Sequence, residues 1–211
     1  MTYIAAMKIH LIQSREEFGP ELRREELRKV WEINRGLFHE YTHPEGRPTF
    51  SELFAMCKPD HINVIANSDI YFSAATCQQL EALPANGKTC CALSRWDVKP
   101  DGSSELWAHP DSQDCWVVFG GPHHIDAHTY LGRDGKHKPF TDGIAGCDNR
   151  LVHVLKKAGY NVTNPSKTIR TFHLHLIDWR SYLHDPSGVA RGGDKMERIP
   201  PPYGHAHPTH L

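Results

Sequence analysis

Hydrophobic residues come in short runs along this chain, and the spacing within each run predicts an element. "MKIHLIQ" (7–13) carries Ile9, Leu11 and Ile12 and reads as a β-strand. In the charged stretch that follows, Leu22, Leu27, Val30, Trp31 and Ile33 recur at roughly helical spacing. A strand followed by a helix is the expected opening of an α/β layered domain. "RPTFSELFAMCKP" predicts a second helix, with Pro48 near its start and Thr49 three residues ahead of Glu52 in capping-box register. Residues 62–66 form a strand that ends in a turn, and 74–83 suit a short helix. "KTCCALSRWDV" (88–98) reads as one buried strand turning polar at its end, and "DCWVVFGG" (114–121) as a central strand buried on both faces.

Residues 122–143 show no period and read as a loop. "GCDNRLVHVLKKAGYNV" then sets Leu151, Val154, Leu155 and Ala158 on one helix face, with Gly159 as C-cap. A short strand in "YNVT", a turn at Asn164 and Pro165, and the extended alternation of "IRTFHLHLIDW" complete the ordered part. From 186 onward Pro, Gly and His dominate, which predicts an extended or mobile tail. The expected organisation is one compact domain over 1–185 and a tail over 186–211. Its class is α/β, a mixed, mostly parallel sheet flanked by helices.

Charge narrows the partners. Lys plus Arg number 24 against 25 Asp plus Glu, a formal net charge of -1, so no global field gathers nucleic acid or an anionic membrane. No apolar run nears the roughly 20 residues needed to span a bilayer. The first residues lack the basic-then-apolar pattern of a secretory signal, and the expectation is a cytoplasmic protein. The 6 cysteines include no C-x-x-C pair, so buried free thiols are expected rather than a disulfide framework. The 16 histidines are the compositional oddity, although those in "GHAHPTHL" belong to the tail.

One stretch carries a physical contradiction. "INVIANSDIYF" (62–72) is apolar enough to be buried, yet Asn67, Ser68 and Asp69 stand in its middle. A lone carboxylate in an apolar interior costs several kcal/mol unless it is paired or binds a cation. Ligands of open α/β sheets bind where strands end, so a divalent cation beyond the sheet edge resolves the contradiction, with oxygen from Asp69 and nitrogen from a histidine. His173 and His175, two apart on an extended segment, point to one face and suit that cation. Asp148, at the start of a helix, is a candidate general base; the helix dipole there favours its ionised form, and Asp114 is placed to offset that.

The order of "RPTFSELF", "IANSDIYF", "ALSRWD", "SQDCWVVF", "GCDNRLVHVLKKAGYNVTNPS" and "TFHLH" resembles nucleotide-sugar-dependent glycosyltransferases of the GT-A fold, over about residues 8–182. The resemblance implies a single-domain, Rossmann-like GT-A sheet. It implies Mn2+ or Mg2+ held by Asp69 with His173 and His175, and a nucleotide-diphosphate sugar, a UDP-sugar first, as donor. Donor contacts fall on Gln13, Arg47, Ser51, Asn67, Ser68, Arg95, Trp96 and Asp114, and the catalytic base on Asp148. In the family's Asp-x-Asp motif the first acid is Asn67 here, which leaves Asp69 as the carboxylate ligand. The implied acceptor is a hydroxyl of a glycan, a protein or a modified nucleobase, held by the 122–143 loop or by the second subunit of a homodimer.

Blander readings compete. Asp69 would be a turn residue, Asp148 a helix cap, Trp96 core filling, and His123, His124 and His128 solvated loop residues or a lid. "HLHLID" loosely suggests a metal-dependent hydrolase, but Asp178 stands three residues after the second histidine rather than two. A third alternative is a non-catalytic nucleotide-sugar or glycan-binding module.

Overall fold

The computed structural model describes residues 7–84, 87–132, 134–179 and 196–211. In chain order the elements are β1 (Lys8–Ile12), α1 (Glu21–Asn34), β2 (Glu40–Thr42), α2 (Phe50–Ala55), β3 (His61–Ala66), β4 (Ile70–Tyr71), α3 (Ala74–Glu81) and β5 (Thr89–Leu93). There follow β6 (Arg95–Val98), β7 (Ser104–Leu106), β8 (Cys115–Phe119), β9 (Thr129–Leu131), β10 (His137–Pro139), α4 (Cys147–Lys157), β11 (Asn161–Thr163) and β12 (Thr171–His173).

Six strands form the main sheet in the order β11-β5-β8-β3-β1-β2. The β1–β2, β1–β3 and β5–β11 pairs are parallel, while β8 runs antiparallel to both β3 and β5. One reversed strand in an otherwise parallel sheet is the mixed, mostly parallel architecture expected from the sequence. Both faces are apolar. Ile12, Ile65, Cys90, Ala92, Trp116 and Val118 pack with α2 and α4 on one side. Ile9, Leu11, Val64, Cys91, Leu93, Cys115 and Val117 pack with Leu80 and Phe72 on the other. The strands therefore read as continuous apolar runs. The six cysteines are all buried and free, as their setting in such runs predicted.

A second sheet, β4-β12-β6-β7, continues from the edge at which β3 and β5 end. The stretch read as one strand over 88–98 breaks at Ser94 and feeds both sheets, β5 into the first and β6 into the second. Ser94 is wholly buried; its N–H donates to Asn164 Oδ1 and its hydroxyl to the Ser112 carbonyl, so the chain leaves one ladder without losing hydrogen bonds. The loop expected over 122–143 contains the β9–β10 hairpin.

In α1 the buried positions are Arg23, Leu27, Val30 and Asn34, whereas Leu22 is exposed. Two polar side chains occupy the inner face because each has partners beneath it. Asn34 Nδ2 donates to Gln13 Oε1 and to the Ile70 carbonyl, and its Oδ1 accepts from the Phe72 amide. In α2 the Thr49–Glu52 capping box forms as predicted.

Of the tail expected over 186–211, residues 186–195 lie outside the described residues, and residues 196–211 are extended, as expected, and docked through two buried asparagines. Asn149 Nδ2 donates to the carbonyls of Ile199 and Gly204, while its Oδ1 accepts from Ile199 N–H at 2.6 Å. Asn164 Nδ2 donates to the Ala206 carbonyl at 2.8 Å. Met196 and Ala206 join the core on the α4 side. Among the described residues no helix is long and apolar enough to cross a membrane.

Candidate functional site

The turn after β3 presents Asp69 beside β12. Phe172 pairs with Tyr71 and His173 with Ile70, and the Leu174 N–H donates to the Asp69 carbonyl. Asp69 Oδ2 lies 2.6 Å from Arg23 Nη2, 3.1 Å from His173 Nε2 and 3.8 Å from His175 Nδ1. Among the described residues, Asp69, His173 and His175 form a group whose ligand atoms all lie within 4.8 Å of one another. The paradox of Asp69 is thus resolved by its partners. Burial favours the neutral acid, but His173, His175 and the Arg23 guanidinium hold the carboxyl well below its usual range.

The donor set fits a transition-metal cation. His173 Nδ1 meets Asp97 Oδ1 at 2.7 Å, and His175 Nε2 meets the Trp179 carbonyl at 2.5 Å. With one ring nitrogen of each imidazole so engaged, the other is turned toward Asp69, the orientation that metal-ligating histidines adopt. Two nitrogens and one oxygen suit Mn2+ better than Mg2+, which prefers oxygen ligands. His173 bridges Asp69 and Asp97. Burial lowers its pKa, but the two carboxylates outweigh this and raise it to about 9.

Beyond His173 the polar network continues. Arg95 Nε donates to Asp97 Oδ1 at 2.8 Å, and its Nη1 reaches both Asp114 oxygens at 3.3 and 3.2 Å. Asn67 Nδ2 donates to Asp114 Oδ1 at 3.1 Å. Asp114 belongs here because β8 is the reversed strand: its first residue, Cys115, pairs with Ala66 and Leu93, the last residues of β3 and β5. A carboxylate just ahead of β8 therefore reaches the edge at which the neighbouring strands finish.

Asp148 stands in the first turn of α4, whose N-cap is Gly146 with φ 90°; no side chain caps this helix. The carboxylate is therefore not used as a cap, and it accepts the Cys147 thiol hydrogen at 3.2 Å. Burial, and then the Asp114 and Asp142 carboxylates, raise the Asp148 pKa well above the usual range. Asp142 is held by the Thr49–Thr141 bridge that ties its loop to the start of α2. Burial and the Asp69 carboxylate raise it to about 6, against the exposed Arg47.

The remaining donor candidates divide. Gln13 and Ser68 line a cleft of about 230 Å³ with Ser14, Arg15 and Trp31. Gln13 itself is buried and donates to the carbonyls of Asn67 and Ile70, so it shapes the turn that carries Asp69. Ser51 is spent on structure, its hydroxyl donating to the Ile125 carbonyl and accepting from Ala127 N–H. Trp96 lies on the opposite sheet face from Arg95 and Asp97, with Nε1 on the Ser166 carbonyl and the Arg170 guanidinium 4.1 Å from its ring centre. It is not part of the site. His123, read as solvated, is half-buried with Nδ1 2.7 Å from Tyr160 hydroxyl.

Arg23, Asp97 and Asp142 went unnoticed in the sequence. For Asp97 a signal existed: it stands two residues after Arg95 on an extended segment, hence on the same face. Arg23 gave none, being one arginine among several on a charged helix.

No protein-family model matches this chain. No curated protein and no solved structure matches it either.

Proposed function

We propose that this protein is a metal-dependent glycosyltransferase with a GT-A-like sheet, moving a sugar from a nucleotide-diphosphate sugar, a UDP-sugar first, to a hydroxyl acceptor. The observation that carries this reading is the Asp69–His173–His175 group together with an Asp148 carboxylate that is not consumed as a helix cap, the two linked through Asp114, whose charge acts on Asp148 and which itself feels Asp69 and His173. The sequence resemblance supports it, and the cleft beside Gln13 and Ser68, whose walls also carry Glu16, Glu17 and Glu32 with Arg15 and Arg28, offers room for a nucleoside rather than for its diphosphate.

In this reading Asp69, His173 and His175 would hold Mn2+, which would supply positive charge against the negative charge of the departing diphosphate. Trp31 and the backbone around Ser14 and Ser68 offer a niche for the nucleoside. Arg95, fixed between Asp97 and Asp114, presents its guanidinium to the sugar or phosphate. Asp148 takes the acceptor hydroxyl proton as that oxygen bonds to the anomeric carbon, and the glycosyl–phosphate bond breaks with its electron pair leaving on the nucleoside diphosphate. A base raised by burial and by Asp114 is better matched to neutral pH than an ordinary carboxylate.

The test is a thermal shift with Mn2+ and a panel of UDP-sugars, followed by donor hydrolysis. The expected result is stabilisation that needs both metal and nucleotide sugar, with slow release of UDP. Asp69→Ala should abolish the metal-dependent stabilisation. Stabilisation by Zn2+ alone with indifference to every nucleotide sugar would instead favour a hydrolase, and donor binding without turnover a binding module.

A further inference from the structure

We propose that Trp179 and Gly19 are positioning residues for the cation: the indole, seated on the glycine, holds the backbone carbonyl that sets His175 in its ligating tautomer. The inference rests on the cation reading of Asp69, His173 and His175 and is independent of sugar transfer.

A carbonyl oxygen only accepts, so the 2.5 Å contact between His175 Nε2 and the Trp179 carbonyl puts a hydrogen on Nε2. The lone pair left for a cation is on Nδ1, the atom that faces Asp69 Oδ2 at 3.8 Å. His173 offers the other nitrogen, since its Nδ1 meets Asp97 and its Nε2 lies 3.1 Å from Asp69. The two imidazoles therefore have separate supports. The carboxylate behind His173 is carried by β6, whereas the carbonyl behind His175 belongs to a segment beyond the end of β12, which packing must hold.

Helix α1 holds the first part of that segment. Leu176 N–H donates to Glu26 Oε1, and the Leu174 carbonyl accepts from Arg23 Nη1. Trp179 is held by its ring. Gly19 approaches it so closely that a Cβ there would stand 2.8, 2.9 and 3.0 Å from Cζ3, Cη2 and Cε3, well inside the roughly 3.5–4.0 Å at which carbon atoms attract. Gly19 also has φ +87°, which strains any residue with a side chain. The Phe18 ring lies 6.0 Å from the indole, and the Arg23 guanidinium 6.0 Å from the Phe18 ring centre while its Nη2 holds Asp69. The stretch before α1 thus forms a seat for the indole, and Arg23 ties that seat to the carboxylate. A methyl group at position 19 drives the ring off its seat and moves the carbonyl with it; removing the ring leaves the carbonyl without its anchor.

The experiment measures Mn2+ affinity, by the electron paramagnetic resonance of free Mn2+, in wild type, Trp179→Ala, Gly19→Ala and the double variant. Gly102→Ala is the control: Gly102 has φ +83° and open space where a Cβ would go, so its alanine brings the backbone strain without the contact. Trp179→Ala and Gly19→Ala should each lose about tenfold in affinity, and Gly102→Ala no more than about twofold. The double variant should lose no more than Trp179→Ala, because both changes act through one contact. Trp179→Phe, which lacks Cζ3 and Cη2, should fall between wild type and Trp179→Ala. In the metal-free protein the imidazole nitrogen resonances of His175, assigned by their absence from His175→Gln, should shift in Trp179→Ala while those of His173 stay in place. Unchanged Mn2+ affinity in Trp179→Ala, losses that add in the double variant, an equal loss in Gly102→Ala, or His173 resonances that move as far as those of His175 overturn the proposal. A wild type that binds neither Mn2+ nor Zn2+ overturns the cation reading and this inference with it, whereas Mn2+ binding that ignores Trp179 overturns the inference alone.

Discussion

Asp97 and His173 meet at 2.7 Å, carboxylate Oδ1 to imidazole Nδ1, across the parallel β6–β12 pair. This contact fixes which ring nitrogen faces Asp69. Asp97→Asn puts an amide where the carboxylate was, and an amide N–H donating to Nδ1 would leave the hydrogen on Nε2, the nitrogen a cation needs. We expect Mn2+ affinity to fall by about 10–100-fold, read by calorimetry or by the electron paramagnetic resonance of free Mn2+. Unaltered affinity would show that Asp97 does not orient His173.

Asp148→Asn should leave Mn2+ and donor binding in place and lower transfer by about 10²–10⁴-fold. In the wild type, transfer should rise with pH along a limb above the ordinary carboxylate range, because burial and Asp114 oppose ionisation of Asp148. Asp114→Asn removes a like charge and should move that limb to lower pH. A limb that stays in place would separate the two carboxylates.

Asp142 predicts a pH dependence of stability. Its folded pKa, about 6, is raised above the range of an ordinary aspartate, so its carboxyl favours folding in the protonated form. That contribution is fully present below the unfolded pKa and is lost as pH rises through about 6. Asp142→Asn should thus melt higher than wild type at pH 8 and converge with it near pH 3.5, each kcal/mol appearing as about 2–4 °C in Tm. Parallel melting curves for the two proteins from pH 3.5 to pH 8 would contradict this.

Asn149 links the C-terminal segment to the helix that carries Asp148. Asn149→Ala strips partners from Ile199 and Gly204 and should cost about 1–3 kcal/mol. Hydrogen exchange at the Ile199 amide should accelerate markedly, while Mn2+ binding at Asp69, His173 and His175 stays as in wild type. Undiminished protection of that amide would mean that other contacts hold the segment.

Much of the architecture was legible because it follows from local rules. Continuous apolar runs marked the central strands β3 and β8, and Thr49 with Glu52 marked the start of α2. Asp69, His173 and His175 were legible as a set because a polar turn after a buried strand and two histidines at strand spacing both demand an explanation. Trp96 and Trp107 mark the limit. Both are tryptophans in the same hairpin, and only the break at Ser94, with the register it imposes on β6 and β7, sets Trp107 on the face of Arg95 and Asp97 and Trp96 on the other. The docked tail was equally illegible, since Pro- and Gly-rich composition describes conformational freedom and says nothing of two buried amides that satisfy the segment's backbone.

The amino-acid sequence alone settled the main elements, β1, α1, α2, β3, α3, β8 and α4, and the need of Asp69 for a partner, because periodicity and the cost of burying charge act over a few residues. Beyond His173 and His175, tertiary structure alone decided what surrounds it. Arg23, Asp97 and Asp114 lie up to 91 residues apart in the chain, and they converge because one reversed strand and one strand shared out between two sheets bring those residues to the same edge.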